Sequence, residues 1–358
     1  MTDPAGFAPA EEVELLRDAA ARFARDVLAP AARDHERAGR WPDDVVAVVE
    51  GFSPGTGCLA QVVLLETLAG GDAGGLPAAD RPGPAAGAVD ACPDRTVAAG
   101  AADAVLAVTP DLSMAASATD AVPAVRPDRS LAPVVAVGPD RLAWSPGWPQ
   151  RRLVWVSSGD DLGLVEVATE PEPVEALAFA ASGGVSLDLG GARVLGEWEL
   201  SPGAGLSVRG RARLWAAAVA VGIGQAAFDA TVAYTTERVV FGRPVAHHQA
   251  NAFQLAGLAT GIHGARLAVR DAAASYDGGD PAAGFWATQA WREAVDAAVA
   301  VTEAGIQLLG GHGFLVDHLA EKRFREARML GLLFGGVDAA LDDLAGAVLA
   351  VPDPLLGA

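Results

Sequence analysis

Lysine is all but absent from this chain: Lys322 is the only one, so arginine supplies nearly all of the 26 basic residues set against 45 acidic ones. The net charge of -19 excludes nucleic acid and anionic membrane surfaces as main partners, because phosphate backbones are gripped by clustered cations. The arginine bias itself reads as codon composition. Cysteine is equally scarce. Cys58 and Cys92 make neither a disulfide framework nor a metal-ligand spacing, which predicts free thiols in a reducing cytoplasm and no metal site. The start, Met1 to Phe7, lacks a basic segment followed by an apolar core, so no secretory leader is expected. The longest apolar run, Leu214 to Phe228, is broken by Gln225 and falls short of a bilayer span; it predicts a buried core helix.

What is present is a globular composition, 51% apolar and 20% charged over 358 residues, enough for two or three domains with a large core. Leu16, Ala20, Phe23 and Val27 mark an amphipathic helix over 11–29 that Pro30 closes or kinks. A short helix follows Pro42, and another runs from Gln61 to Leu68 before Gly70 and Gly71. Residues 71–94, rich in Gly, Pro and Ala, suit a connection between domains. From about 95 to 203 helical spacing fades. Strands are expected at 133–137, 153–156, 164–167 and 185–189. Beyond Pro202 the pattern is helical again. One helix uses Leu214, Ala218 and Val221, a second Phe253, Gly257, Gly261, Gly264 and Ala268, a third Trp291 to Leu309, and a shorter one Leu341, Leu344 and Val348. This predicts an antiparallel bundle, with the three glycines marking a face where another helix or subunit comes close.

The stretch Tyr234 to Gln249 joins the first two bundle helices. Arg238 offers a forked cationic donor, Gly242 permits unusual backbone geometry, and Pro244 suits a first helical position whose free N–H groups can receive an anion. Two readings stand: a receptor for a phosphate-bearing ligand, or an ordinary interhelical turn with a surface Arg and a core Phe241. His247 and His248, placed in the second bundle helix on adjacent faces, have the wrong spacing for two ligands of one metal. His312 reads as a loop residue, and Trp215, Trp286 and Trp291 as core or interface aromatics.

Several motifs in order carry a resemblance: Val221-Gly222-Ile223-Gly224-Gln225, Tyr234, Glu237-Arg238, Phe241-Gly242-Arg243-Pro244, Gln249, Gln307 to Phe314, and Arg325-Glu326-Ala327. From about 210 to 335 the chain resembles the acyl-CoA dehydrogenase family. Weaker likenesses lie at Leu16 to Pro30 and at Arg193-Val194-Leu195-Gly196. The resemblance implies an α+β, mainly α fold: an N-terminal helical domain (1–92), a reduced β middle domain (93–203) and a C-terminal four-helix bundle (204–358). It also implies FAD, shared across a subunit interface, and an acyl-CoA substrate desaturated between its α and β carbons, with electrons passed to an external acceptor. Arg238 and Phe241 match the positions that receive the diphosphate end, and Gln307, Gly310 and Gly311 those that hold the adenosine end. Without the resemblance, Gly310-Gly311 reads as a helix stop.

The catalytic pattern fails where the family keeps its base. Gly335 stands at the usual glutamate position, and Ala212, just before Arg213, at the alternative one. Neither accepts a proton. Asp338 lies one helical turn away and is the weak substitute. The motif that holds the flavin ring is not found either; Val108-Thr109-Pro110 is its nearest approach. An intact nucleotide grip without a base leads to an expectation: this chain resembles the base-lacking member of two-subunit bacterial dehydrogenases, some acting on steroid side-chain thioesters, and completes a companion's FAD site in a heterotetramer. Two other readings remain open, a self-sufficient homo-oligomeric dehydrogenase with an atypical base and a non-redox scaffold of the same fold.

Overall fold

Helices at both ends of the chain enclose a strand-rich middle. The structure, a computed structural model, describes residues 11–52, 57–79, 84–100, 105–108, 136–137, 142–146, 153–167, 170, 172–188 and 192–350. Helix α1 (Glu11–Phe23) runs through a π-helical turn (Ala24–Leu28) into α2 (Ala29–Ala38). Pro30 therefore does not close the helix. Proline lacks an N–H and crowds the carbonyl four residues back; the wider turn just ahead of it relaxes that conflict, and the helix continues.

Four short helices and one longer one follow: α3 (Asp43–Gly51), α4 (Cys58–Gly71), α5 (Leu76–Ala79), α6 (Ala86–Ala91) and α7 (Arg95–Gly100). The segment after α4 is not the expected connection. Residues 71–77 are all buried, and a side chain at Gly75 would begin 2.1 Å from the Trp41 ring. Its glycines serve close packing rather than flexibility.

The middle holds β1 (Val105–Val108), β2 (Ala136–Val137), β3 (Leu142–Pro146), β4 (Leu153–Ser158), β5 (Asp161–Glu166), β6 (Glu172–Pro173), β7 (Gly184–Asp188) and β8 (Arg193–Glu199). They form two four-stranded sheets ordered β1-β4-β5-β8 and β2-β3-β7-β6. Among the described strands, β1 and β4 alone pair in parallel. The expected strands at 153–156, 164–167 and 185–189 fall on β4, β5 and β7; residues 133–135, 109–110 and 189–191 lie outside the described residues.

The C-terminal bundle is built on α8 (Ala204–Glu237), with α9 (Gln249–Asp277), α10 (Ala283–Leu309), α11 (Ala320–Leu330) and α12 (Gly336–Ala350) around it. At 34 residues α8 is long and apolar enough to cross a membrane, so length does not exclude a span; but 61% of its most apolar window is buried in the protein, as a core helix requires. Helix α4, apolar on every side, packs against α8 and α9. Its N-terminus is capped from a distance, Asp277 accepting from Cys58 N at 2.6 Å and Leu59 N at 2.9 Å. Cys58 and Cys92 are free and buried.

Periodicity located the apolar stripes but not what covers them. Trp291, Val295, Ala298, Thr302, Gly305 and Leu309 are buried in the bundle, whereas Gly257, Gly261 and Gly264 have nothing of this chain within 4 Å of a built Cβ. Phe253 and Leu267 beside them are exposed, as are Leu341 and Val348 on α12.

Buried charge joins the two helical ends. Asp72 accepts from Lys322 Nζ at 2.7 Å, Trp41 Nε1 at 2.8 Å, Gly74 N at 3.0 Å and His35 Nδ1 at 3.0 Å, and Lys322 also meets Glu326 Oε1 at 2.6 Å. The chain's one lysine is thus a core residue. Around it Arg33 and Arg325 each pair with Glu36 and Glu321, tying α2 to α11.

Burial pushes the Asp72 carboxyl up, but the Lys322 charge and the hydrogen bonds from His35, Lys322 and Trp41 overcome it and hold the pKa well below the usual carboxylate range. Its contribution to stability is therefore complete above about pH 4 and is lost as pH falls through the folded value. Asp72→Asn is expected to flatten that acid slope and to cost about 3 kcal/mol at neutral pH, because Lys322 keeps only one counterion; urea unfolding measures both. Tyr276 gives the opposite sign. Burial pushes its phenol up to about 12, so stability is intact below about pH 10 and falls as pH rises toward the folded value. Of the two tyrosines, Tyr276 is expected to be the one whose phenolate absorbance appears near pH 12, and Tyr276→Phe to remove that step.

Candidate functional site

Two groups of sequence-selected residues lie toward opposite ends of α8. Arg213 and Arg238 are separated by roughly 37 Å of helix at 1.5 Å per residue. The first group contains the two expected base positions. Ala212 is fully buried in α8. The neighbouring Arg213 donates to the Phe334 carbonyl at 3.2 Å, which brings the turn carrying Gly335 against the same helix. Phe334, Gly335 and Gly336 all have positive φ, at 51°, 91° and 72°. A carboxylate-bearing residue at Gly335 would have to hold a left-handed conformation that glycine adopts freely and other residues resist. Asp338 is exposed on the first turn of α12.

A carboxylate that sequence reading missed lies at this end. Asp343 Oδ2 accepts from Arg213 Nη1 at 2.6 Å, and its two oxygens accept from Arg209 Nε at 3.0 Å and Nη2 at 2.5 Å. Arg209 also donates to the Gly159 carbonyl at 2.6 Å and Ser157 Oγ at 3.2 Å, so one carboxylate pins α8, α12 and the β4–β5 hairpin together. Burial opposes ionisation of Asp343, but the two guanidiniums overcome it and hold its carboxyl below the usual carboxylate range. A carboxylate so stabilised is a poor proton acceptor. The available signal was Arg209 and Arg213 at i, i+4 in an apolar helix, which demands an acidic partner; Asp342-Asp343 in α12 supplies it.

The second group is the corner at the far end of α8. Arg238 is the C-cap of the helix. Val239–Val240 and Arg243–Pro244 then pair as a small antiparallel hairpin, β9 and β10, around Phe241 (φ 51°) and Gly242 (φ 80°). Both central residues have positive φ, the primed geometry that matches the twist of hairpin strands. Pro244 is accordingly a strand residue and not a first helical position; α9 starts at Gln249, after a 3-10 turn (Val245–His247) and with His248 as its N-cap. His247 and His248 thus precede the second bundle helix instead of lying within it. Phe241 is 94% exposed, which removes the core-residue reading. A bulky residue held at positive φ costs about 1 kcal/mol, and this one gains no burial in return.

The Gln307 to Gly311 segment arrives at the same corner. Helix α10 stops at Leu309 with Gly310 at φ 56°, so the glycine pair does end a helix, and a Cβ on Gly310 or Gly311 would meet nothing within 4 Å. The following turn places His312 Nδ1 3.1 Å from Tyr234 Oη, on the last turns of α8. Arg238, Phe241, Gln307, Gly310 and Gly311 are all exposed, and among the described residues neither Arg238 nor Gln307 has a side-chain hydrogen bond. Val239, Phe314, Leu315 and Val316 add exposed apolar surface to these two loops. Chemically the corner offers a forked cation, a primary amide, an unshielded ring and open main chain. The described residues hold no cluster of metal-ligating side chains.

Comparison with known proteins gives this arrangement a context. The acyl-CoA dehydrogenase C-terminal domain pattern matches residues 208–349. Cyclohex-1-ene-1-carbonyl-CoA dehydrogenase of Geobacter metallireducens is 38% identical over 123 residues, 34% of this chain and 32% of that protein. A probable acyl-CoA dehydrogenase of Mycobacterium tuberculosis is 38% identical over 149 residues, 40% of this chain and 37% of that protein. These alignments span about a third of the relatives' length. In fold, the likeness extends further. Butyryl-CoA dehydrogenase from Megasphaera elsdenii superposes with a TM-score of 0.72 at 19% identity, over 96% of this chain and 99% of that one. A glutaryl-CoA dehydrogenase of Mycobacterium smegmatis in complex with FADH2 gives 0.68 at 16% identity, over 97% and 96%.

Asp343→Ala leaves Arg209 and Arg213 without their carboxylate in a buried setting. It is expected to cost about 3 kcal/mol or more in urea unfolding, and Arg213→Met in the same background to recover part of that loss.

Proposed function

Since its C-terminal domain belongs to the acyl-CoA dehydrogenase family and the whole chain has that family's fold, we propose that this protein is a flavoprotein subunit of an acyl-CoA dehydrogenase, the non-catalytic partner of an unlike companion. The companion supplies the base and the cradle of the flavin ring. This chain supplies the corner at the end of α8 to the adenosine diphosphate end of the companion's FAD. The two form a heterotetramer that desaturates an acyl-CoA of lipid or steroid breakdown and passes its electrons to an external acceptor.

The observation that carries this reading is the backbone at Gly335: the usual base position has a glycine-favouring conformation, and the nearby carboxylate, Asp343, is committed to two arginines. A positioned base is worth roughly 10²- to 10⁴-fold in rate, and the α-proton of a thioester leaves slowly without one. The length of α8 supports the division of labour. The ends that resemble the base site and the nucleotide grip are too far apart along one helix to serve a single dinucleotide.

The exposed groups fit the ligand. Arg238 suits a diphosphate as a permanently charged, forked donor. Gln307 has both a donor and an acceptor for a base edge, and the open Gly310–Gly311 main chain lets N–H groups approach closely. Phe241 presents a ring face that water alone does not reward. FAD, when bound, supplies the hydride acceptor of the reaction. The exposed Val239, Phe314, Leu315 and Val316 form the apolar part of the proposed contact with the companion.

Purified alone, the chain is expected to be colourless and to show no dehydrogenation of acyl-CoA. Co-expressed with a base-bearing acyl-CoA dehydrogenase subunit as companion, it is expected to yield a yellow complex from which Arg238→Ala or Gln307→Ala each lowers FAD affinity about tenfold. A lone chain that is yellow and bleaches on adding acyl-CoA overturns the reading.

A further inference from the structure

The hairpin that presents Phe241 is bridged, beyond its main-chain pairing, by one imidazole whose proton position follows from its partners. Arg243 Nε donates to His248 Nδ1 at 3.2 Å, and His248 Nε2 lies 3.1 Å from the Val240 carbonyl oxygen. A guanidinium only donates and a carbonyl only accepts. Nδ1 must therefore be bare and Nε2 must carry the proton: the ring is neutral, in the Nε2–H form. The same ring meets Phe241 edge-on, with centroids 6.5 Å apart. One side chain thus touches both arms of the hairpin and the exposed ring at its tip. Asn251 Nδ2 donates to the Val245 carbonyl at 3.0 Å and Val245 N to the Arg238 carbonyl at 2.8 Å, which fixes the base of the hairpin to α8 and α9.

We propose that His248 is a positioning residue for the nucleotide corner, and that its protonation loosens the corner and weakens the grip on an adenosine diphosphate group. This rests on the reading of the corner given above. When Nδ1 gains a proton, two donors and two cations oppose each other, the Arg243 bond is lost, and the hairpin no longer fixes Phe241. The charged and titratable side chains on the surrounding elements are Tyr234, Glu237 and Arg238 at the end of α8, Arg243 on β10 and His247 in the turn, while the first turn of α9 has none. Glu237 is the one carboxylate among them, against two arginines.

Two measurements test this. In nitrogen-detected spectra of the full chain at about pH 8, His248, assigned by difference from His248→Gln, is expected to show the Nε2–H form. FAD affinity of the complex with the companion is then measured from about pH 8 to about pH 5.5. Wild type is expected to weaken about tenfold on acidification. His248→Gln keeps a donor for Val240 and an acceptor for Arg243 without taking a charge, so it is expected to retain the high-pH affinity and lose the pH dependence. His248→Ala is expected to be weak throughout. A proton on Nδ1 at high pH, or equal pH profiles for wild type and His248→Gln, overturns the role while leaving the nucleotide reading standing. No FAD binding by the wild-type complex at any pH overturns both.

Discussion

Helix α8 constrains everything else in this molecule. It is 34 residues long, apolar around most of its circumference and buried along most of its length, so α4, α9, α10 and α11 can all pack on it at once. Continuous helix between Arg213 and Arg238 leaves no hinge by which the two ends can approach each other. One end faces the strand domain and the turn at Gly335, the other opens to solvent beside the end of α10. A chain organised this way has two chemically different surfaces at opposite ends of one helix, which is what the proposal of a cofactor shared between subunits builds on.

The buried charges are the second organising feature. Desolvating an ion costs several kcal/mol unless its partners are well placed, and this chain meets that cost at two junctions. Asp72, with Lys322 and Glu326, joins the N-terminal helices to α11; Asp343, with Arg209 and Arg213, joins the bundle to the strand hairpin. Though Arg213 Nε is buried without a hydrogen bond, every carboxylate in both has a cationic partner. That makes them staples of domain arrangement and, at Asp343, unsuits the carboxylate for proton transfer. The solvent-facing corner behaves in the opposite way: Arg238 and Gln307 are left unpaired among the described residues, Phe241 is unburied and its backbone is held at positive φ. Strain and exposure that gain nothing within the chain mark a surface meant to be covered.

Much of this was legible beforehand because it is local. Helical spacing of Leu214, Ala218 and Val221 and the glycine stop after Leu309 depend on residues within a few turns of one another. Errors arose where a local signal has two outcomes. Pro30 can end a helix or sit behind a π turn, Pro244 can open a helix or lie in a hairpin, and a Gly-rich segment such as 71–79 can be loose or closely packed; which one holds depends on neighbours that the sequence does not name.

By itself, then, the sequence determined the order of the main helical segments, the motifs that resemble a nucleotide grip and the identities of Gly335 and Ala212 at the two positions that match the family's base, since side-chain identity and period decide those. Tertiary structure alone decided that Lys322 meets Asp72 across 250 residues and Asp343 meets Arg213 across 130. It also decided that Phe241 points to water, and that the hairpin end of α8 and the loop after α10 meet through Tyr234 and His312. Contacts of that range are chosen by how whole helices pack, and packing is a property of the assembled surface that no short window of residues contains.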